Sequence, residues 1–190
     1  NSAELDSAWS CTPPTQMIAR GAEILGSTSD RQDPDGVFRS VRLLTATPKG
    51  TAPSLPVALA WLARERPDIS VSDDRFTMGD ITLHTHGNCR LQLKFHGPAG
   101  TYTSVPLADL TAALNARATG QPCPVDTSIF NGATVLIGYA APALYDLKPT
   151  PYSPQCPGVE VLATAVDNIM NEDYIRRYPS WVSLLIALVV

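Results

Sequence analysis

The stretch DLKPTPYSPQCPGVEV, Asp146–Val161, decides how this chain is read, because it joins an apolar run to an amphipathic one. Upstream, Thr134–Gly138 (TVLIG) is short and almost uniformly apolar, which predicts a central strand covered on both faces. Downstream, Val159, Leu162, Val166, Ile169 and Met170 fall on one helical stripe. Strand, long loop and helix in that order predict a parallel α/β unit. The prolines between them stiffen the connection and keep it out of any helix.

This connection also holds the candidate chemistry. Asp146 lies beyond the C-terminal end of the expected strand, where open α/β sheets bind ligands. Gly158 and Val159 would begin the helix, offering free N–H groups and a positive dipole end to a small anionic ligand. The opposing reading has Asp146 and Thr150 satisfying backbone groups of their own loop, with Glu160 helping to cap the helix. Both stand on the sequence alone.

Working towards the N-terminus, LPVALAWLARE after Ser54 carries apolar residues at helical spacing, with Ser54 as the expected N-cap and Pro67 as the stop. Pro106 opens a second helix, VPLADLTAALNARA. Between them, Phe76–Met78, Ile81–His84, Arg90–Phe95 and Thr101–Ser104 read as an antiparallel meander, punctuated by Gly-containing turns. Asp33-Pro34-Asp35-Gly36 is a strong turn signal. The alternation after it predicts a hairpin between Gly21–Ser27 and Val37–Ala46, and TPKGTAPS is expected as a loop. The expected fold class is α/β: a mixed sheet with helices on both faces, plus a β meander.

Composition excludes several functions. The 190 residues carry a net charge of −4 and no basic stripe, so nucleic acid is not an expected partner. There is no Walker, dinucleotide or nucleophile-elbow pattern. His84 and His86 share one face of a strand, but no third ligand lies near in sequence, so no metal is expected, and no cofactor. The four cysteines, Cys11, Cys89, Cys123 and Cys156, form no metal spacing and leave three disulfide connectivities open. The C-terminal run WVSLLIALVV, Trp181–Val190, is apolar without a polar face and reads as the first half of a membrane span. Residues 1–178 would then be a domain outside the membrane, with 179–190 entering it.

Taken together, Gly138, Asp146, Thr150-Pro151, Pro157–Glu160 and Ala163 resemble the signature of the type-two CHASE domain, an extracellular sensor of bacterial cyclases and kinases. Asp35, Gly36 and Arg39 resemble that family's turn and following strand, and YPSWVSLLIALVV its entry into the first of several membrane helices. Leu162 stands where the family often has His, so no polar role carries to that position. The resemblance spans roughly residues 20–190 and implies the membrane-proximal, C-terminal part of the domain. It implies a non-catalytic module at the cell membrane, on the extracytoplasmic side, that passes a ligand-induced change to a cyclase or kinase. Its candidate ligand residues are Asp146, Thr150, Gly158, Val159, Glu160 and Arg39, with Asp35 and Gly36 forming a structural turn. The expected partners are a small-molecule ligand, the membrane and a second copy of the chain. The alternative is a membrane-anchored hydrolase using Asp146 with a meander histidine.

Overall fold

The computed structural model describes residues 12, 14–48, 50–140 and 146–177. A short helix, α1 (Gln16–Gly21), precedes β1 (Ser40–Arg42), β2 (Leu44–Thr47) and β3 (Gly50–Pro53). Helix α2 (Leu55–Ala63) leads to the strands β4 (Ile69–Ser72), β5 (Arg75–Met78), β6 (Ile81–His84) and β7 (Arg90–Gln92). Helix α3 (Leu107–Ala118), the two-residue strands β8 (Leu147–Lys148) and β9 (Cys156–Pro157), and helix α4 (Gly158–Asn171) complete the order.

All strand pairs formed by these elements are antiparallel: β1 with β7, β2 with β3, β4–β5–β6, and β8 with β9. The chain is therefore mixed α/β, but built from small antiparallel sheets. A single parallel bridge joins Ser27 to Ser54. Residues 179–190, where the start of a membrane helix is expected, lie outside the described residues. Among the described residues no helix is long and apolar enough to cross a membrane.

The meander forms for the reasons its pattern suggests. Phe76, Met78, Ile81 and Leu83 alternate inward and are fully or almost fully buried. The β5–β6 turn needs Gly79, whose φ is +61° and whose Cβ position would come within 2.9 Å of Pro67. Against this sheet lie α2 and α4, which contribute Val57, Ala60, Val161, Ala165 and Ile169 to one core with Leu43, Leu91 and Leu93. The two helices run side by side in the same direction. At their C-terminal ends, Arg64 Nη2 donates to the Met170 carbonyl at 3.2 Å.

Several expectations are corrected. The turn at Asp33–Gly36 forms, with Gly36 N–H donating to Asp33 O at 2.8 Å. Its strand pairs with β7 instead of Gly21–Ser27, because Arg90 fixes it there. Arg90 donates to Ser40 Oγ and Ser40 O, both at 3.0 Å, and pairs with the partly buried Asp30 at 3.0 Å. TPKGTAPS contains β3 and is not a loop. Strand β4 was not foreseen, and Thr101–Ser104 is irregular because its N–H groups are spent elsewhere, as described below.

The expected central strand, Thr134–Gly138, forms no strand and has no strand partner among the described residues. It is not covered on both faces: Val135 is 52% and Ile137 86% exposed. The run lies instead against the start of α4, where a Cβ on Gly138 would come within 2.6 Å of Val159 Cβ.

Candidate functional site

The connection from Asp146 to Gly158 folds into a narrow hairpin. Leu147 pairs with Pro157 and Lys148 with Cys156. Its tip is closed by Thr150, whose N–H donates to Ser153 O at 2.7 Å and whose Oγ1 accepts from Ser153 N–H at 3.1 Å. Thr150 is thus satisfied by its own loop, as the opposing reading held.

The hairpin base borders a cavity of about 410 Å³. Asp146, Lys148 and Gly158 form one side, with Val161 and Leu162 from the first turns of α4. The start of α2 supplies Ser54 and Pro56, and β1 with its approach supplies Phe38, Val41 and Arg42. The loop Ser27–Asp30 closes the remaining side. Both long core helices therefore begin at this cavity.

Gly158 is required by close approach. A Cβ there would lie 2.5 Å from Asp146 Oδ2. The Asp146 carboxylate thus rests against the positive end of α4, while its carbonyl accepts the Gly158 N–H at 2.8 Å. Lys148 Nζ pairs with Asp146 Oδ1 at 3.2 Å and lies 5.5 Å from the Phe38 ring centroid. Asp30 is consumed structurally: it accepts from Arg42 N–H at 2.6 Å and Arg31 N–H at 2.8 Å, besides pairing with Arg90.

Of the residues singled out from sequence, Asp146 and Gly158 line the cavity. Val159 packs on Gly138 instead. Glu160 neither lines the cavity nor caps its own helix. Its carboxylate reaches the 100–102 loop, accepting from Gly100 N–H at 2.7 Å, Thr101 N–H at 2.9 Å and Tyr102 N–H at 3.4 Å.

Arg39 borders a second, more open depression of about 440 Å³ with Asp33, Asp35, His86, Arg90 and Arg177. There it pairs with Asp35 at 2.7 Å and Asp33 at 3.4 Å. The Arg39 guanidinium holds the Asp35 carboxyl down to about 2. Asp35 also accepts Val37 N–H at 3.1 Å, and Gly36 has a φ of +82°, so both serve the turn as expected.

Sequence reasoning missed Lys148, Phe38 and Arg42 as cavity residues. Lys148 was visible within the quoted stretch, and alternation placed Arg42 opposite Val41. That both face the hairpin depends on Phe38 N–H donating to Pro149 O at 2.7 Å, a contact between residues far apart in sequence.

The hydrolase alternative required a histidine beside Asp146. Asp146 pairs with Lys148 instead, and among the described residues no histidine lies within ion-pair distance of it. His96 pairs with Asp167 at 3.1 Å. Cys89, Cys123 and Cys156 are free thiols, and burial pushes Cys89 and Cys156 up to about 11. Cys11 lies outside the described residues.

His86 supports a pH prediction. Burial first, then Arg177 and Arg90, lower its pKa to about 4, with Asp33 opposing. The folded state holds the neutral ring, while the unfolded chain takes up a proton near 6.5. Stability is therefore full above about 6.5 and falls as pH drops from there towards 4. At this half-buried position the loss is on the order of 1 kcal/mol after solvent screening. Urea unfolding between pH 7 and pH 4.5 checks it: His86→Gln should flatten that part of the profile, and an unchanged slope would contradict the assignment.

The model of one protein family, described as the CHASE2 domain, matches residues 3–190. No curated protein matches the chain, and no solved structure does.

Proposed function

Given that the chain belongs to the CHASE2 domain family, which comprises extracellular sensor domains, we propose that it is the extracytoplasmic sensing module of a membrane-bound bacterial receptor. In this reading a small molecule occupies the cavity at the base of the Asp146 hairpin. The signal passes along α4 to the membrane helix starting near Trp181, and from there to a cytoplasmic cyclase or kinase. The module itself has no catalytic role, and two copies pair at the membrane.

The observation carrying this reading is that α2 and α4, which pack together in the core, start together at the cavity, while α4 leads on to the segment 172–177. The exit from α4 is held firmly. Glu172 takes a left-handed conformation with φ +52°, Tyr174 Oη accepts from His84 N–H at 2.7 Å, and Ile175 N–H donates to Gln92 O at 3.1 Å. A shift of α4 relative to the sheet would therefore strain these contacts of 172–177 with β6 and β7.

A ligand acts by favouring one of two arrangements of α4 over the other. A coupling of about 1–3 kcal/mol suffices for a useful switch. The test is the output of the full-length receptor across a panel of small carboxylates, phosphate esters, amines and alcohols. Asp146→Ala removes the carboxylate that pairs with Lys148 and lies against the start of α4, and should shift the half-response concentration about tenfold, or about 1.4 kcal/mol. A folded variant with an unchanged response would exclude the cavity as the sensing site.

A further inference from the structure

The identity of the occupant is written into the cavity's polar atoms. Ser54 is 9% exposed, and its Oγ is buried with no hydrogen-bond partner among the described residues. A buried hydroxyl without a partner is costly, and such groups call for an explanation. Ser54 precedes α2, where a serine ordinarily accepts a first-turn N–H. It does not do so here. The Leu55 N–H donates instead to Ser27 O at 2.8 Å, and Pro56 has no N–H to give. The hydroxyl is left over at the positive end of a nine-residue helix; Ser54 lines the cavity, and rotation about its χ1 would turn the buried Oγ into it.

The other helix end is already taken. The Asp146 carboxylate lies against Gly158 at the start of α4, so an incoming anion placed there would meet a resident negative charge. The anion seat is therefore at α2, although the sequence pointed to α4. Lys148 and Arg42 bring cationic side chains to the cavity wall, Lys148 as the partner of Asp146. Of the two carboxylates, Asp30 is committed to Arg42 N–H, Arg31 N–H and Arg90, and Asp146 to Lys148. The cavity is thus poorly set up for a cation. Its remaining walls are apolar: Phe38, Val41, Pro56, Val161 and Leu162.

Resting on the sensing role assigned to this cavity, we propose that its ligand is a small organic anion. A carboxylate or phosphate oxygen accepts a hydrogen bond from Ser54 Oγ at the start of α2, and the apolar body lies between Phe38 and the first turns of α4. Such a ligand spans the starts of both helices, so its binding bears directly on how α4 sits against α2.

The experiment uses the full-length protein in lipid nanodiscs and follows thermal unfolding with hexanoate, phenyl phosphate, inorganic phosphate, hexanol and phenol as probes. Hexanoate and phenyl phosphate should raise Tm in a saturable way, and the pair separates carboxylate from phosphate recognition. The neutral probes should not, and inorganic phosphate should bind more weakly than its phenyl ester. Ser54→Ala should weaken the anionic probes roughly tenfold while leaving the unliganded Tm unchanged or higher, since the lost hydroxyl had no partner. Lys148→Met should weaken them similarly while retaining its packing on Phe38. Neutral probes binding as well as anions, with Ser54→Ala silent, would overturn the anion assignment and leave the cavity as the ligand site. Absence of a shift with both organic anions would also overturn it. The sensing role itself falls if Asp146→Ala leaves the receptor's response unchanged, whichever class of probe binds.

Discussion

Replacing Asn168 by leucine is expected to lower the unfolding free energy by about 2–4 kcal/mol, from the loss of partners for two backbone groups. Asn168 is fully buried on α4. Its Oδ1 accepts from Lys94 N–H at 2.8 Å, and its Nδ2 donates to Lys94 O at 3.1 Å. The amide therefore stands in for a neighbouring strand, closing the backbone that continues from β7. Leucine has the same branched shape, though it is larger, and leaves the Lys94 N–H and C=O without that partner. Asn168→Asp should be at least as severe, because it removes the donor and brings in a charge. Urea unfolding checks this: the midpoint should fall with little change in slope. A loss under 1 kcal/mol for the leucine variant would show that α4 is held to the sheet by apolar packing alone.

Gly158→Val should cost about 1–3 kcal/mol and disrupt the cavity, because the new side chain overpacks its wall. The backbone of Gly158 has no unusual φ, so the cost is steric. The nearest obstacle is the Asp146 carboxylate, 2.5 Å from the position of the added Cβ. Displacing it breaks the Lys148 pair and pushes side-chain bulk into the space between α2 and α4. The obstacle is a single side chain, so the effect should be reversible. Combining Gly158→Val with Asp146→Ala should recover about 0.5–2 kcal/mol relative to the sum of the separate losses. Additive losses in that cycle would place the strain elsewhere.

Much of this arrangement was legible in the sequence, and the misses have physical causes. The helix Gly158–Asn171 was found from apolar residues at helical spacing and from Pro157 at its start, but its buried face, with Gly158, Val161, Ala165 and Ile169, is offset from the expected stripe through Val159 and Leu162. The β5–β6 hairpin was found because Gly79 punctuates strict alternation. Thr134–Gly138 misled because a short apolar run carries no information about its partner, and the run lies on α4 instead of in a sheet. The pairing of β1 with β7 depends on Arg90 meeting Ser40 and Asp30, contacts that span 50 to 60 residues. Asp146 and Gly158 were singled out because an acid before a glycine-started helix is a local pattern, and both line the cavity. Glu160 was not legible, because its partners at Gly100–Tyr102 are brought to it only by the tertiary fold. Ser54 was seen as a cap. That its hydroxyl is unused follows from Pro56 and the Ser27 bridge acting together.

The account holds that occupancy of the cavity is read out through α4. Its most direct test is the cytoplasmic output of the full-length receptor, titrated with phenyl phosphate or hexanoate, in the wild type and in folded Gly158→Val. The wild type should change its output with the same midpoint as its thermal shift, and the variant should stay flat over the whole titration. A variant that responds like the wild type would contradict the account.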